Sequence, residues 1–446
     1  MNQIIFPQSQ GNELRKSLLS SELESAAIVL ARPVELKNGE WRLLALETHI
    51  PDSWSYSSRE SDFIELRPDF LVPLIKKARV AQLSIILVHT HPWDGHVQPS
   101  RVDRSGERLL FPTFFRRVPG VPHGRLIIGK QDYSAALFTD NCDNESALEV
   151  LNVGESIVSL ERKSSDSDQD AIFERQIRAF GDDGQRALRA MRVGIVGVGG
   201  TGSVVAQQLA YLGVNQFTLV DDDTIENTNL NRVIGASLAD VGAPKVGVVS
   251  ANIKGIRPKS KVTLINDTIY KRDVVRKLLG LDVLFCCTDS HGSRAILSQL
   301  AYQYFMPVID MGVRINAKEG KVSHITGRIQ MLSPGLPCLI CSELLDSEQV
   351  RRDLLSDAER QVDRYILGTQ ERQPAVVSIN STVASLAVSM LLSAVTGIPL
   401  RGRYLLYRGE VGTVKVVSAE QNANCVICSK EGVFGRGDST RLPGWD

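Results

Sequence analysis

The chain carries no net charge: 51 Lys plus Arg balance 51 Asp plus Glu over 446 residues. That balance argues against a protein built to grip a phosphate backbone, and it suits a protein partner better than nucleic acid. The N-terminal stretch MNQIIFPQSQGNELRKS lacks a charged start followed by an apolar segment, so no signal peptide is read. No internal repeat is visible. Long uncharged runs are nearly absent as well. The exception, Pro374 to Leu400, carries Ser378, Asn380, Ser381, Thr382, Ser385 and Ser389. It reads as a buried helix and not as a membrane span. Cysteine is scarce and odd in number, seven in all, and four of the seven form two CxxC pairs. This excludes a disulfide framework and points to metal binding in a reducing cytoplasm.

The length suits two or three domains. The polar segment ERKSSDSDQD (Glu161–Asp170) has no apolar periodicity and reads as a linker, dividing the chain into 1–158, a linker 159–170, and 171–446. In the first part AAIVLA, RLLALETHI, SIILVHTH and GRLIIGK read as strands. Asp62–Ala81 reads as a helix with Phe70, Leu71, Leu74 and Ile75 on one face. In the second part a helix over Phe173–Arg192 precedes strands RVGIVGVGG, QFTLVDDD, KVTLIND and LDVLFCCTD, with helices between them. The fold class is α/β: a mixed α/β domain followed by a doubly wound, Rossmann-like parallel sheet. The tail after Phe434, Gly-rich and polar, reads as loose.

Gly197, Gly199, Gly200 and Gly202 follow a strand and open a helix, which suits close approach of backbone to phosphate. Alone, that pattern fits any dinucleotide enzyme, including a dehydrogenase. The run Asp221-Asp222-Asp223 followed by Asn229-Leu230-Asn231-Arg232 and Lys245 does not. Asn, Arg and Lys around one crevice suit a triphosphate and the charge that develops at its α-phosphorus. Asp289, after the strand LDVLFCCTD, is placed to hold Mg²⁺.

The segment from Phe173 to Ser418 resembles the ThiF/MoeB-type adenylyltransferases, the superfamily that includes ubiquitin-activating enzymes. The pieces that carry the resemblance are RQIRAFGDDGQRAL, VGIVGVGGTGS, LVDDDTIENTNLNR, APKV, CTDSHGSR, PCLIC and SINSTVASLAV, in the family's order. The resemblance implies ATP-dependent activation of the C-terminal glycine carboxylate of a ubiquitin-like or sulfur-carrier protein, giving an acyl-adenylate and pyrophosphate. It implies that Asp221, with Asp223 beside it, holds the ribose. Asn229, Arg232 and Lys245 would contact phosphates, and Asp289 would bind Mg²⁺. Arg175 would reach the phosphates of a neighbouring subunit, hence a homodimer. The pairs Cys338/Cys341 and Cys425/Cys428 make a closed, structural Zn²⁺ site by their spacing, in agreement with the family.

Val88-His89-Thr90-His91-Pro92, then Ser100 and Asp103, offer two histidines two residues apart and an aspartate. These are three protein ligands that leave a fourth position for water. Glu24, before the strand SAAIVLA, is a candidate general base, with Glu22 competing. The pattern resembles the JAMM metalloprotease domain, which implies cleavage after ubiquitin-like C-termini, with Ser100 stabilising the oxyanion. The loop from His91 to Ser100 is one residue longer than the family's usual one, and Ala26, Ala27 and Ala31 replace its small Gly-rich surroundings of the Glu.

A self-thioester is not expected. The stretch from Ser342 to Ile379 has no cysteine, Cys286 and Cys287 lie in an apolar strand, and Cys142 lies among acids that raise its thiol pKa. The combined expectation is a bifunctional enzyme of a prokaryotic ubiquitin-like pathway, in which a conjugating enzyme is a possible further partner. The alternatives are a sulfur-carrier adenylyltransferase for cofactor or cysteine synthesis, and an adenylation enzyme whose first domain serves only for docking.

Overall fold

Alternating apolar residues and turn signals produce the elements of the first part. In the computed structural model, residues 1–93, 95–140, 144–159, 170–355 and 374–445 are described. Cys142 and nearly all of the expected linker lie outside them. Two units are distinguished: Met1–Gly154 with Val158–Glu161 and Gly435–Ser439, and Glu155–Ile157 with Arg162–Phe434 and Thr440–Asp446.

The first unit runs β1 (Asn2–Pro7), α1 (Gln8–Leu18), β2 (Ala26–Glu35), β3 (Trp41–His49), β4 (Tyr56–Arg59), β5 (Ile64–Leu66), α2 (Pro68–Ala81), β6 (Ser84–His91), α3 (Arg101–Arg117), β7 (His123–Gly129), β8 (Tyr133–Phe138), β9 (Glu145–Val153) and β10 (Ile157–Ser159). Its main sheet has the order β1-β3-β2-β6-β7-β8-β9-β10. Because β1 also pairs with β9, seven of these strands close into a ring. One face of the sheet packs Ile4, Phe6, Val29, Ile86 and Val88 with Leu14 and Leu18 of α1. The other packs Ile28, Leu30 and Ile85 against Leu71 and Ala78 of α2 and Phe111 and Phe114 of α3. Each fully buried aliphatic or aromatic side chain there contributes about 1.5–3 kcal/mol. The expected helix over Asp62–Ala81 is corrected: it begins at Pro68, after the short strand β5. Pro68 holds Arg67 extended, and the proline at the first helical position starts the turn.

Arg125 of β7 is fully buried. Its Nη1 donates to both oxygens of Glu107 at 2.8 Å, and its Nη2 donates to Glu145 at 2.7 Å. Two carboxylates around one guanidinium hold α3 to the sheet.

The second unit runs α4 (Asp170–Ala190), β11 (Arg192–Val196), α5 (Gly202–Tyr211), β12 (Gln216–Val220), α6 (Lys245–Ile256), β13 (Lys261–Ile265), α7 (Arg272–Leu278), β14 (Val283–Cys286), α8 (His291–Gln303), β15 (Val308–Lys318), β16 (Lys321–Leu332), α9 (Ser347–Leu354), α10 (Val377–Thr396), β17 (Tyr404–Arg408) and β18 (Thr413–Val416). Its sheet has the order β13-β12-β11-β14-β15-β16-β17-β18. The first five strands are parallel, and β16, β17 and β18 follow antiparallel. Strand order reverses at β11, between β12 and β14, and the crevice outside the carboxyl ends of the strands opens there. α4 is broken at Gly181, whose φ is 75°.

α10 is long and apolar enough to cross a membrane by composition. Here it packs on α4, α5, β15 and β16, burying Val383, Ala384, Ala387 and Leu391, as a core helix does. The expectation of a loose tail is corrected. Leu442 is buried, Gln303 and Gln299 of α8 donate to the carbonyls of Thr440 and Arg441, and Trp445 donates to the carbonyl of Tyr270. Its backbone finds buried partners that composition does not reveal.

Replacing Arg125 by Met should destabilise the first unit by about 3–5 kcal/mol, because Glu107 stays buried without this guanidinium. Loss of amide hydrogen-exchange protection along β6, β7 and α3 is the measurement. Unchanged protection would show that the ion pair contributes nothing net.

Candidate active sites

In the second unit the strand β11 ends at Val196 and the chain turns sharply. Gly197 has φ of 84°, and a Cβ there would lie 2.9 Å from the carbonyl oxygen of Cys287. A Cβ at Gly202 would lie 1.9 Å from the carbonyl oxygen of Gly197. Only glycine closes this loop. Gly199 faces open space, whereas a Cβ on Gly200 would meet Asn380 at 2.5 Å and Arg232 at 3.3 Å. Loop, arginine and the first turn of α10 therefore share one spot.

Asp221 directly follows the next strand, β12. Its Oδ2 accepts the N–H of Val198 at 2.7 Å, and its Oδ1 accepts the N–H of Asp223 at 3.0 Å. Burial raises its carboxyl, and the charge of Lys245 and these two N–H groups act against that rise. Lys245 opens α6 and places Nζ 2.6 Å from Asp223, with most of its side chain buried. Asn229 is buried and accepts the N–H of Glu226 at 3.1 Å. Arg232 donates to the carbonyl of Thr228 and, at 3.2 Å, to Asn231.

Asp289 is exposed in the loop between β14 and α8, and Ser290 caps that helix by accepting the N–H of Ser293. The structure thus places Gly197, Gly199, Gly200, Gly202, Asp221, Asp223, Asn229, Arg232, Lys245 and Asp289 in the loops and first helical turns that follow β11, β12 and β14. Arg175 is exposed on α4, away from the contacts given above for the glycine loop among the described residues. Asn380 was missed as a site residue. Its signal is its position in SINSTVASLAV, a polar residue opening an otherwise apolar helix.

Cys338, Cys341, Cys425 and Cys428 bring their sulfurs within 4.8 Å of one another. The Sγ pairs Cys338–Cys425 and Cys341–Cys428 are 3.5 Å apart. A tetrahedral thiolate site with metal–sulfur bonds of about 2.3 Å has edges of about 3.8 Å. The N–H groups of Cys341, Asn422 and Ile427 point at three of the sulfurs at 3.4–3.5 Å, as they would at thiolates. The nearness of Cys428, with burial, raises the Cys338 thiol, and the nearness of Cys338 and Cys341 lowers that of Cys428. This donor set fits a closed tetrahedral cation.

In the first unit β6 delivers His89 and His91, alternate residues facing the same side. Asp103 arrives from the first turn of α3. His89 Nε2 is 3.1 Å from Asp103 Oδ1, and His91 Nε2 is 3.3 Å from Asp103 Oδ2. Both histidine Nε2 atoms are buried without an aligned hydrogen-bond partner. They converge with the carboxylate as ligands of one ion would. Burial alone would raise Asp103, but the two imidazoles and the N–H of Ser100 hold its carboxyl well below the usual carboxylate range.

Ser100 caps α3. Its Oγ accepts the N–H of Asp103 at 3.1 Å, and its own N–H donates to Asp103 Oδ2 at 2.6 Å. The capping box thus aims the ligand carboxylate and leaves the hydroxyl hydrogen available. Glu24 is buried, 3.6 Å from His91 Nε2. Ala26 stands opposite His89 in the sheet, and Ser25 exchanges hydrogen bonds with Thr90, which puts Glu24 at the mouth of the histidine pair. Arg59 donates to the carbonyl of Glu24 at 2.9 Å and to Ser25 Oγ at 2.6 Å. Burial, then the charges of Asp103 and Asp62, pushes the Glu24 carboxyl up to about 8. Glu22, the competing base, is exposed. Trp93, stacked on His91 at 4.6 Å and 45% exposed, was missed; its place just after His-Pro was the available signal.

The ThiF family model matches residues 173–427. The chain is 29% identical over 254 residues to "SAMP-activating enzyme E1" of Haloferax volcanii, covering 57% of this chain and 86% of that protein. It is 30% identical over 267 residues to "Molybdopterin-synthase adenylyltransferase" of Escherichia coli, covering 59% and 98%. It is 26% identical over 252 residues to "Sulfur carrier protein adenylyltransferase" of Thermus thermophilus, covering 56% and 87%. A match over more than half of the chain, with the glycine loop, Asp221 and Lys245 at one sheet edge, settles its family: the chain belongs to the ThiF family.

Proposed function

We propose that residues 171–446 form an ATP-dependent adenylyltransferase that activates the C-terminal glycine carboxylate of a sulfur-carrier or related ubiquitin-like protein. The observation that carries this reading is the Gly197–Gly202 loop tied to Asp221, with Lys245 and Arg232 on the same edge. The name of the Thermus thermophilus relative, a sulfur carrier protein adenylyltransferase, supports a sulfur-carrier substrate. In the proposed reaction a carboxylate oxygen attacks the α-phosphorus of ATP. The bond to the bridging oxygen breaks, pyrophosphate leaves with the electron pair, and an acyl-adenylate remains.

Backbone N–H groups of the loop hold phosphate, and Asp221 and Asp223 hold the ribose. Asn229, Arg232 and Lys245 stabilise the charge that grows at phosphorus. Lys245 exchanges its Asp223 partner for phosphate when nucleotide binds. Asp289 would hold Mg²⁺, which neutralises phosphate charge when bound. Arg175 would serve the site of a second subunit in a homodimer. The four cysteines would hold a structural Zn²⁺. Burial pushes the Cys286 thiol up to about 12 and the Cys287 thiol well above its ordinary value, so neither is a nucleophile for the adenylate. The enzyme then stops at the acyl-adenylate or hands it to a partner cysteine.

A second reading rests on the convergence of His89, His91 and Asp103 under Glu24. We propose that residues 1–158 are a JAMM-type peptidase that exposes or frees the same glycine terminus. Zinc, when bound, would supply an activated water there. Glu24 would take its proton, and the Ser100 hydroxyl would donate to the oxyanion.

Lys245→Ala should lower ATP–pyrophosphate exchange, measured with a glycine-ended sulfur-carrier protein, by about 100-fold or more. Exchange at the wild-type rate would remove Lys245 from the site. Cys428→Ser should release about one equivalent of zinc per chain and lower Tm by about 10 °C. Metal analysis that finds no zinc in the wild type to lose would sink the structural site. For the peptidase, Glu24→Gln should keep zinc but abolish cleavage of a carrier protein extended beyond its glycine terminus, whereas His89→Ala should lose the metal too. If cleavage survives both changes, the cluster is not catalytic.

A further inference from the structure

Glu24 lies just outside the sheet that carries the two histidines. β2 begins two residues later, at Ala26, so the strand ladder does not include Glu24. On the side of β6, the next residue is held: the Ser25 N–H donates to Thr90 Oγ1 at 2.9 Å, and the Ser25 carbonyl accepts the N–H of Thr90 at 3.0 Å. The other side is held by the hairpin of β4 and β5, which forms a separate two-stranded sheet.

Hydrogen bonds cross from this hairpin to each of residues 24–26. The Glu24 N–H donates to the carbonyl of Glu60 at 2.9 Å, and the Ala26 N–H donates to the Tyr56 hydroxyl at 3.0 Å. Arg59 takes the acceptors between them. Its Nε donates to the Glu24 carbonyl at 2.9 Å, and its Nη2 donates to Ser25 Oγ at 2.6 Å. A planar guanidinium that spends two donors on adjacent residues fixes direction as well as distance.

The hairpin is built to aim Arg59. Tyr56 and Arg59 are three residues apart, so an unbroken strand would send their side chains to opposite faces. The register shifts instead: Tyr56 pairs with Leu66, Ser58 with Glu65 and Arg59 with Ile64. Ser57 is the extra residue of this bulge, and a bulge re-aims the side chains that follow it. Tyr56 and Arg59 thereby share one side, with the guanidinium carbon 5.1 Å from the centroid of the buried Tyr56 ring. Both ends of the hairpin are tied. At the tip Glu60 donates its N–H to the carbonyl of Phe63 at 2.8 Å. At the base Arg67 donates its N–H to the carbonyl of Ser55 at 2.8 Å and its Nε to that of Tyr56 at 3.2 Å.

Direction matters for a general base. A carboxylate that takes a proton from water must lie within hydrogen-bond reach of it, and a misplacement of about 1 Å can cost about 100-fold. A strand fixes His89 and His91, and a helix cap fixes Asp103, whereas Glu24 depends on what grips its backbone. We propose that Arg59 is a positioning residue of the peptidase site, which sets the direction of the Glu24 side chain through the Glu24 carbonyl and Ser25. It acts through Glu24 and not on the reacting atoms. This role rests on the peptidase reading.

The test uses the full chain with zinc bound, and a glycine-ended carrier protein bearing a short C-terminal extension. Arg59→Ala should lower kcat for release of the extension by about 100-fold, with KM and zinc per chain within about two-fold of the wild type. Arg59→Lys keeps a charged donor but serves one acceptor at a time, so it should recover about a tenth of the wild-type kcat. In the metal-free protein, hydrogen exchange over residues 23–26 should quicken in Arg59→Ala, while β6 and α3 keep their protection. If Arg59→Ala does not fold, Arg59→Lys decides the matter. Wild-type kcat in either variant would overturn the assignment. So would a merely structural effect, in which Tm and bound zinc fall and kcat per bound zinc does not. A wild type that binds zinc and leaves the extended carrier intact would instead overturn the peptidase reading, and this role with it.

Discussion

The carboxylate of Asp221 is the constraint on which the nucleotide-binding edge depends. It accepts one N–H from the glycine loop and another from the segment that leads to Lys245. One half-buried acid thereby fixes the distance between the turn after β11 and the start of α6. The loop is rigid because Gly202 closes onto the Gly197 carbonyl and tolerates no side chain. Were Asp221 unable to take both bonds, the buried Val198 and the exposed Asp223 would each lose the acceptor of their N–H, and the loop its register. The N–H groups of the glycine loop owe their alignment to this arrangement.

The first unit solves a similar problem with a strand register and a helix cap. Pairing of β2 with β6 sets Ala26 against His89, so Glu24 projects next to the histidines. The capping box of Ser100 and Asp103 begins α3 and, by the same two hydrogen bonds, fixes where the Asp103 carboxylate points. A one-residue slip of β6 would turn both imidazoles to the opposite face. The burial that raises Glu24 also keeps water from His89, His91 and Asp103, so pKa and geometry share one cause.

The clusters differ in how far the sequence exposes them. The cysteine pairs were legible because CxxC places two sulfurs on one short turn whatever the surrounding fold. The His-x-His pair was legible because a strand alternates its side chains. Asp103 and Glu24 were legible only as candidates, since nothing local says that α3 and the start of β2 meet at the end of β6. The boundary of α2 was misplaced because apolar spacing persisted through β5, where Pro68 marks the true start. The tail after Phe434 misled because its glycines suggested freedom, whereas Gln299, Gln303 and Tyr270 supply its partners.

By itself the sequence determined the α/β class, the glycine loop, the thiolate pairs and the acid–asparagine–arginine–lysine run. Each of these is a local pattern whose chemistry follows from spacing. The tertiary structure alone decided that Asn380 stands beside Gly200, that Lys245 neutralises Asp223, and that Arg59 reaches the backbone of Glu24. These residues come from elements far apart in the chain, and only sheet order and strand pairing bring them together. Their charges acquire meaning only when burial removes the water that would otherwise screen them.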